Sequence, residues 1–240
     1  MASVAAISRQ NVNADRHFFG GMAVALLLVT FVGFAPTYYF SYFTTAPALR
    51  PILHVHGAVF TAWMLLYASQ TWLISARRID VHRQMGRVGA CLAVVVYILG
   101  IVTAITMARV RLTTPGPSGP PFIFPFTSIN MFGLLCASAI LLRRRSAHHK
   151  RLMFLATVAL ATTPLARVIR MVTSAMTPPI GGMLLTNLFL AALIAFDIRK
   201  SGRLHPATVG GGLFFVASEL FRVAFGHTFI WKSFVHTVVG

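Results

Sequence analysis

The 240-residue chain is 57% apolar and only 10% charged, with a mean hydropathy of +0.76, which excludes an ordinary soluble domain. Its 21 Lys+Arg against 4 Asp+Glu would point to nucleic acid in a soluble protein. Here the basic residues sit in short turns between apolar runs, so orientation in a membrane accounts for them and no nucleic-acid partner is expected.

Residues 1–16 are short and polar and are expected to form a flexible N-terminal segment. The first apolar run is long and no A-x-A-like site follows it, so it is expected to stay as a membrane anchor rather than be cleaved. Seven runs follow at 17–40, 54–76, 85–108, 123–143, 151–174, 181–198 and 206–227, each near the roughly 20 residues that cross a hydrocarbon core. They predict an all-α polytopic bundle of seven transmembrane helices, forming one domain over 17–240. Cys91 and Cys136 fall inside these runs, which argues for packing as small hydrophobes rather than for a disulfide framework.

The charges orient the bundle. Fourteen Lys and Arg residues belong to the N-terminus and the turns after the second, fourth and sixth helices, among them Arg77, Arg78, Arg143, Arg144, Arg145, Lys150 and Lys200. Seven belong to the other side: Arg50, Arg109, Arg111, Arg167, Arg170, Arg222 and Lys232. The positive-inside rule then predicts a cytoplasmic N-terminus and an outer C-terminus in a bacterial inner membrane. The main outer connection, RLTTPGPSGPPFIFP, is rich in Pro and Gly and predicts an irregular loop.

The odd-numbered helices begin with a histidine, in Asp15-Arg16-His17, Asp80-Val81-His82-Arg83, His148-His149-Lys150-Arg151 and Arg203-Leu204-His205-Pro206. This suggests duplicated hairpins. Imidazole can ligate a transition metal or heme iron, so His82, His149 and His205, at comparable depth, are candidate cofactor ligands. The alternative is that they meet lipid headgroups or cap neighbouring helices.

A second group lies toward the outer side. His54 and His56 open the second helix, and their i, i+2 spacing lets only one point into the bundle. They are candidate metal ligands. Arg167 and Arg170 fall in the outer part of the fifth helix, Glu219 and Arg222 are spaced i, i+3 in the seventh and can pair, and Asn130 in the fourth comes to the same level. A charge inside a span costs several kcal/mol unless paired or solvated. Three arginines facing one glutamate therefore predict an anionic partner, such as heme propionates, a lipid phosphate or a polar quinone headgroup. The alternative is that the arginines snorkel to the outer interface. Thr163-Pro164 predicts a kink in helix five that frees a carbonyl. No nucleophile elbow, P-loop or HExxH is present, and the last helix lacks the lysine a retinal Schiff base needs.

HGAVFTAWMLLYASQTWLISARR followed by HRQMGRVGACLAVVVYILGIVTA resembles the central helices of transmembrane diheme b-type cytochromes, which carry electrons between histidine-ligated hemes. The resemblance implies heme b with His56 as one ligand, His82 as another and His149 as the partner of His82. Helix four departs from that pattern, offering Asn130 where the partner of His56 would stand. The wider pattern HR-x-x-G, HHKRLM and R-x-HPAT is similar to a bacterial family of small seven-helix polytopic proteins, whose shorter relatives are linked to cytochrome oxidase maturation. Beside a structural subunit with no ligand, two ligand-binding expectations follow. One is a redox-linked protein binding heme or a transition metal through His56, His82, His149 and His205, or a metal through His54 and His56, with respiratory-complex subunits as partners. The other is a non-redox protein that holds a lipid, quinone or other anion near Asn130, Arg167, Arg170, Glu219 and Arg222 for transport or sensing.

Overall fold

The computed structural model describes residues 2–44, 48–113, 121–173 and 178–239. Among them are eight α-helices and no strand: α1 (Ala2–Phe34), α2 (Pro51–Ser75), α3 (Ile79–Thr113), α4 (Ile123–Leu141), α5 (Ser146–Val172), α6 (Pro178–Ser201), α7 (Pro206–Phe225) and α8 (Phe229–Val239). The chain leaves α1 through a π-helical turn at Ala35–Tyr39 that holds Pro36. Helices α2 and α7 both open on a proline whose missing N–H costs nothing at that position. Of the Pro- and Gly-rich connection expected as an irregular loop, 111–125, residues 114–120 lie outside the described residues, whereas 111–113 finish α3 and 123–125 open α4.

Seven helices are long and apolar enough to cross a membrane, so the all-α, seven-span reading of the sequence holds. The protein is a multi-pass membrane protein. Three features differ. Helix α1 begins at Ala2, so the stretch expected as a flexible segment is helical from residue 2. Helix α3 begins at Ile79 and runs to Thr113, because its polar first turn, with Asp80 and His82, continues the helix ahead of the apolar run that hydropathy marks. Helix α8, eleven residues long and too short to span, was not expected. Its Trp231 stacks on Phe122 at 5.8 Å. Arg109 of α3 donates from Nε to the Val239 carbonyl at 3.1 Å, placing a cation where the α8 dipole ends.

Helix α5 is the centre of the bundle and packs against α1, α4, α6 and α7. Its run from Arg151 to Ala159 is buried on nearly every side, and small residues there, Ala156, Thr157 and Ala159, let neighbours approach. Such close approach is how spanning helices gain van der Waals contact in a solvent as apolar as their side chains. Pro164 interrupts the α5 ladder. At that level two glycines clasp it: a Cβ on Gly33 of α1 would lie 2.5 Å from the Pro164 carbonyl, and one on Gly182 of α6 would lie 2.5 Å from the Thr162 carbonyl. Large apolar side chains on the opposite faces, such as Leu28, Leu65, Ile98, Leu188 and Leu220, point outward.

The connectivity sorts the polar residues into two layers. Asp15 of α1 pairs with Lys150 of α5 at 2.8 Å and with Lys200 of α6 at 2.6 Å, which defines the Asp15 face. The other layer, near the far ends of α5 and α7, contains Arg167 and Arg222 and is called the Arg222 face.

Candidate functional site

The inward stripe of α7 runs through Thr208, Gly211, Gly212, Phe215, Glu219 and Arg222, at the i, i+3/i+4 spacing of one helical face. It carries Glu219 and Arg222 into the bundle, where they are 4% and 1% exposed. Glu219 turns to α6. Its Oε2 accepts from Asn187 Nδ2 at 2.6 Å and its Oε1 from the Thr186 hydroxyl at 3.2 Å. Arg222 turns to α4, where its Nη1 donates to Ser128 Oγ at 3.3 Å. Among the described residues these two form no ion pair with each other, although their spacing permits one. The remaining guanidinium donors, Nε and Nη2, are buried and have no hydrogen-bond partner. Chemically this is a cation with two open N–H directions, walled by a hydroxyl and set near a carboxylate fixed by two other side chains.

The other candidates of this group lie elsewhere on the Arg222 face. Arg167 faces α1, donating from Nη1 to Thr37 Oγ1 at 2.7 Å and lying 4.7 Å from the centre of the Phe34 ring. Arg170, a turn further, is exposed. Asn130 belongs to the α3–α4 contact, its Oδ1 accepting from Tyr97 OH at 2.9 Å and its Nδ2 donating to the Phe126 carbonyl at 2.7 Å. His54 is exposed, whereas His56 stacks on Phe60 at 3.9 Å with its Nδ1 buried and unpartnered. Thus Arg222 and Glu219 are neighbours, and Arg167 and Asn130 each answer to a different pair of helices.

On the Asp15 face, Arg151 of α5 meets Asp197 of α6 in a buried ion pair. Its Nε donates to Asp197 Oδ1 at 3.0 Å, and its Nη1 to the Ala147 carbonyl at 3.0 Å. Asp197 Oδ2 also accepts from the Thr208 hydroxyl at 2.5 Å and from the His205 backbone N–H at 3.2 Å. His205 is the N-cap of α7: its Nδ1 accepts from Ala207 N–H at 3.1 Å, and its ring lies 4.6 Å from that of His148. Burial, then the Arg151 guanidinium and His148, push the His205 pKa below its ordinary value. His149 Nδ1 lies 2.8 Å from the Ala139 carbonyl. His82 keeps its Nδ1 buried without a partner. Among the described residues no three His, Cys, Asp or Glu side chains come together as a metal-ion site.

Sequence reasoning passed over Asp197, Thr208, Ser128, Thr186 and Asn187. Asp197 carried a usable signal, as the lone acid of an apolar run. A further pattern was legible and unread: His56, Phe60, Trp63, Tyr67 and Gln70 are spaced as one face of α2. His56 Nδ1, Trp63 Nε1 and both amide atoms of Gln70 are buried there with no partner.

Comparison of the chain with protein-family models, with curated proteins and with solved structures finds no match.

Proposed function

We propose that this multi-pass membrane protein binds a small anionic or strongly carbonyl-bearing ligand through Arg222, between α4 and α7. The observation that carries this reading is the pair of open donors: a guanidinium 1% exposed, with Nε and Nη2 unpartnered. Burying a charge without partners costs several kcal/mol, so a ligand oxygen that accepts from both nitrogens repays that penalty. Planar, two-pronged donation of this kind matches a carboxylate, a phosphate or a quinone-type carbonyl. Ser128 would add a hydroxyl contact, and Glu219, held by Thr186 and Asn187, would limit how much negative charge the site accepts. The charge asymmetry favours the Asp15 face as cytoplasmic, in a membrane we read as a bacterial inner membrane.

Native mass spectrometry of the full chain extracted in mild neutral detergent tests this. The expected result is a bound species of fixed mass that is lost in Arg222→Gln. A wild-type spectrum without any such species, or one unchanged in Arg222→Gln, overturns it.

One observation favours a second, redox-linked reading in which His82 and His149 hold a heme for electron transfer or respiratory-complex assembly. The Ala139 carbonyl fixes one side of the His149 imidazole, which orients the ring and leaves its other nitrogen for a ligand, and His82 has a buried Nδ1 without a partner. Heme would supply one-electron chemistry there. An absorbance spectrum decides it: a Soret band lost in His149→Ala supports heme, and no Soret band from mildly purified protein removes it.

A further inference from the structure

We infer that a groove between α4, α5 and α7, at the Asp15 face, holds one acyl chain of an anionic phospholipid whose phosphate lies against the Arg143–Arg145 turn. The groove has a volume of about 410 Å³. Its floor includes Leu135 and Leu152, Leu134 and Phe214 form sides, and His148 stands toward the turn. Two adjacent glycines of α7 shape it in different ways. A Cβ on Gly211 would lie 2.7 Å from Leu155, so that glycine lets α7 settle onto α5 and close the floor. A Cβ on Gly210 would meet nothing within 4 Å, so that glycine borders open space.

Charge identifies the occupant. Arg143, Arg144 and Arg145 are all exposed at the α4–α5 turn, and Arg203 is exposed at the α6–α7 turn. Among the described residues no acid pairs with any of them: Asp15 is taken by Lys150 and Lys200, Asp197 by Arg151, Asp80 by Arg78, and Glu219 lies on the other face. Exposed cations that no acid neutralises thus follow the groove-lining Leu142 in sequence, and cations beside an apolar slot are the two-part chemistry that suits an anionic lipid. A second copy of the chain fits less well. The groove spans the α4 stretch from Leu134 to Leu142, about 12 Å at the helical rise, which is short for a partner helix. Two copies meeting there would also bring their unneutralised arginine turns together.

The test uses the full chain in neutral detergent, titrated with phosphatidylglycerol or with phosphatidylcholine of the same acyl chains and read by native mass spectrometry. Wild type should retain one phosphatidylglycerol at least fivefold more than phosphatidylcholine. Gly210→Leu, which fills the groove, should lose that lipid while the species lost in Arg222→Gln stays bound. Replacing Arg143, Arg144 and Arg145 by Gln should leave the two lipids equally retained. Equal retention by wild type, unchanged retention in Gly210→Leu, or a dimer that Gly210→Leu abolishes overturns the proposal. So does an equal rise in unfolding temperature with inorganic phosphate alone. Should Gly210→Leu fail to fold, Gly210→Cys carrying a small fluorophore reads the same space by quenching with brominated phosphatidylglycerol. Quenching no stronger than with brominated phosphatidylcholine is then the overturning result.

Discussion

Arg151 and Arg222 are both buried in the bundle, 4% and 1% exposed, and they are bonded in opposite ways. Arg151 spends its donors on Asp197 and on the Ala147 carbonyl, and Asp197 in turn collects Thr208 and the His205 backbone. That network closes on itself and ties α5, α6 and α7 together at one face. Arg222 makes one hydrogen bond, to Ser128, and leaves two donors open. A closed network specifies packing, whereas an open one is incomplete until something else enters. The difference is therefore between a lock and a proposed receptor, although both arginines look alike as single charges in an apolar sequence.

The largest effect should come from breaking the lock. Removing one member of a buried ion pair leaves an uncompensated charge and costs about 3–5 kcal/mol, so Asp197→Ala should lose that much in denaturant-induced unfolding in mixed micelles. Replacing both partners, Arg151→Met with Asp197→Leu, should recover most of it. A loss below about 1 kcal/mol in Asp197→Ala, the value expected of a surface pair, would place the contact outside the fold's support. The same operation on Arg222 should behave differently. Arg222→Met removes a charge that nothing in the protein fully satisfies, so ligand-free stability should hold or rise. Retention of the bound species should fall at least tenfold, because a hydrogen bond to a charged group contributes about 1.5–3 kcal/mol. If Arg222→Met destabilised the ligand-free protein as much as Asp197→Ala does, Arg222 would be a second structural lock.

The spans were legible because hydropathy reports a property each helix has alone. Partner choice is a property of several helices together. Glu219 and Arg222 carry the spacing of an intrahelical pair, yet Thr186 and Asn187 of α6 take the carboxylate and Ser128 of α4 takes one edge of the guanidinium. Asn130 faces Tyr97, since its rotation about α4 turns it toward α3. Asp197 was overlooked for the same reason: its partners, Arg151 and Thr208, come from two other helices. Helix α8 escaped notice because eleven residues containing Lys232 and His236 neither span nor stand out, and only packing on Phe122 reveals its role.

A smaller effect should separate the cap from the lock. His205 accepts from the Ala207 N–H through Nδ1, which requires the neutral ring, and burial with Arg151 and His148 nearby lowers its pKa below the ordinary value. A histidine depressed in the folded state contributes stability that is fully present above its unfolded pKa, near 6.5. That contribution is lost as pH falls below 6.5 through the lower folded value. Stability should thus decline on acidification within this window, by the roughly 1 kcal/mol a cap is worth. The substitution His205→Asn keeps an accepting oxygen without a titrating ring, so the unfolding temperature of that variant should stay flat over the same range. An identical acid decline in wild type and His205→Asn would assign the pH response to another group.

The smallest effect tests whether Asn130 belongs with the receptor or with the packing. Its amide is engaged at both ends, donating to Phe126 O and accepting from Tyr97 OH. An interhelical hydrogen bond inside a membrane contributes about 0.6 kcal/mol on average, because the unfolded chain in lipid also finds partners. Tyr97→Phe deletes the hydroxyl while keeping the ring, so it should lower stability by about that amount and leave retention of the Arg222-dependent species unchanged. A loss of that species in Tyr97→Phe would mean that the α3–α4 contact shapes the ligand site, and that the receptor extends across α4 rather than lying on its α7 side alone.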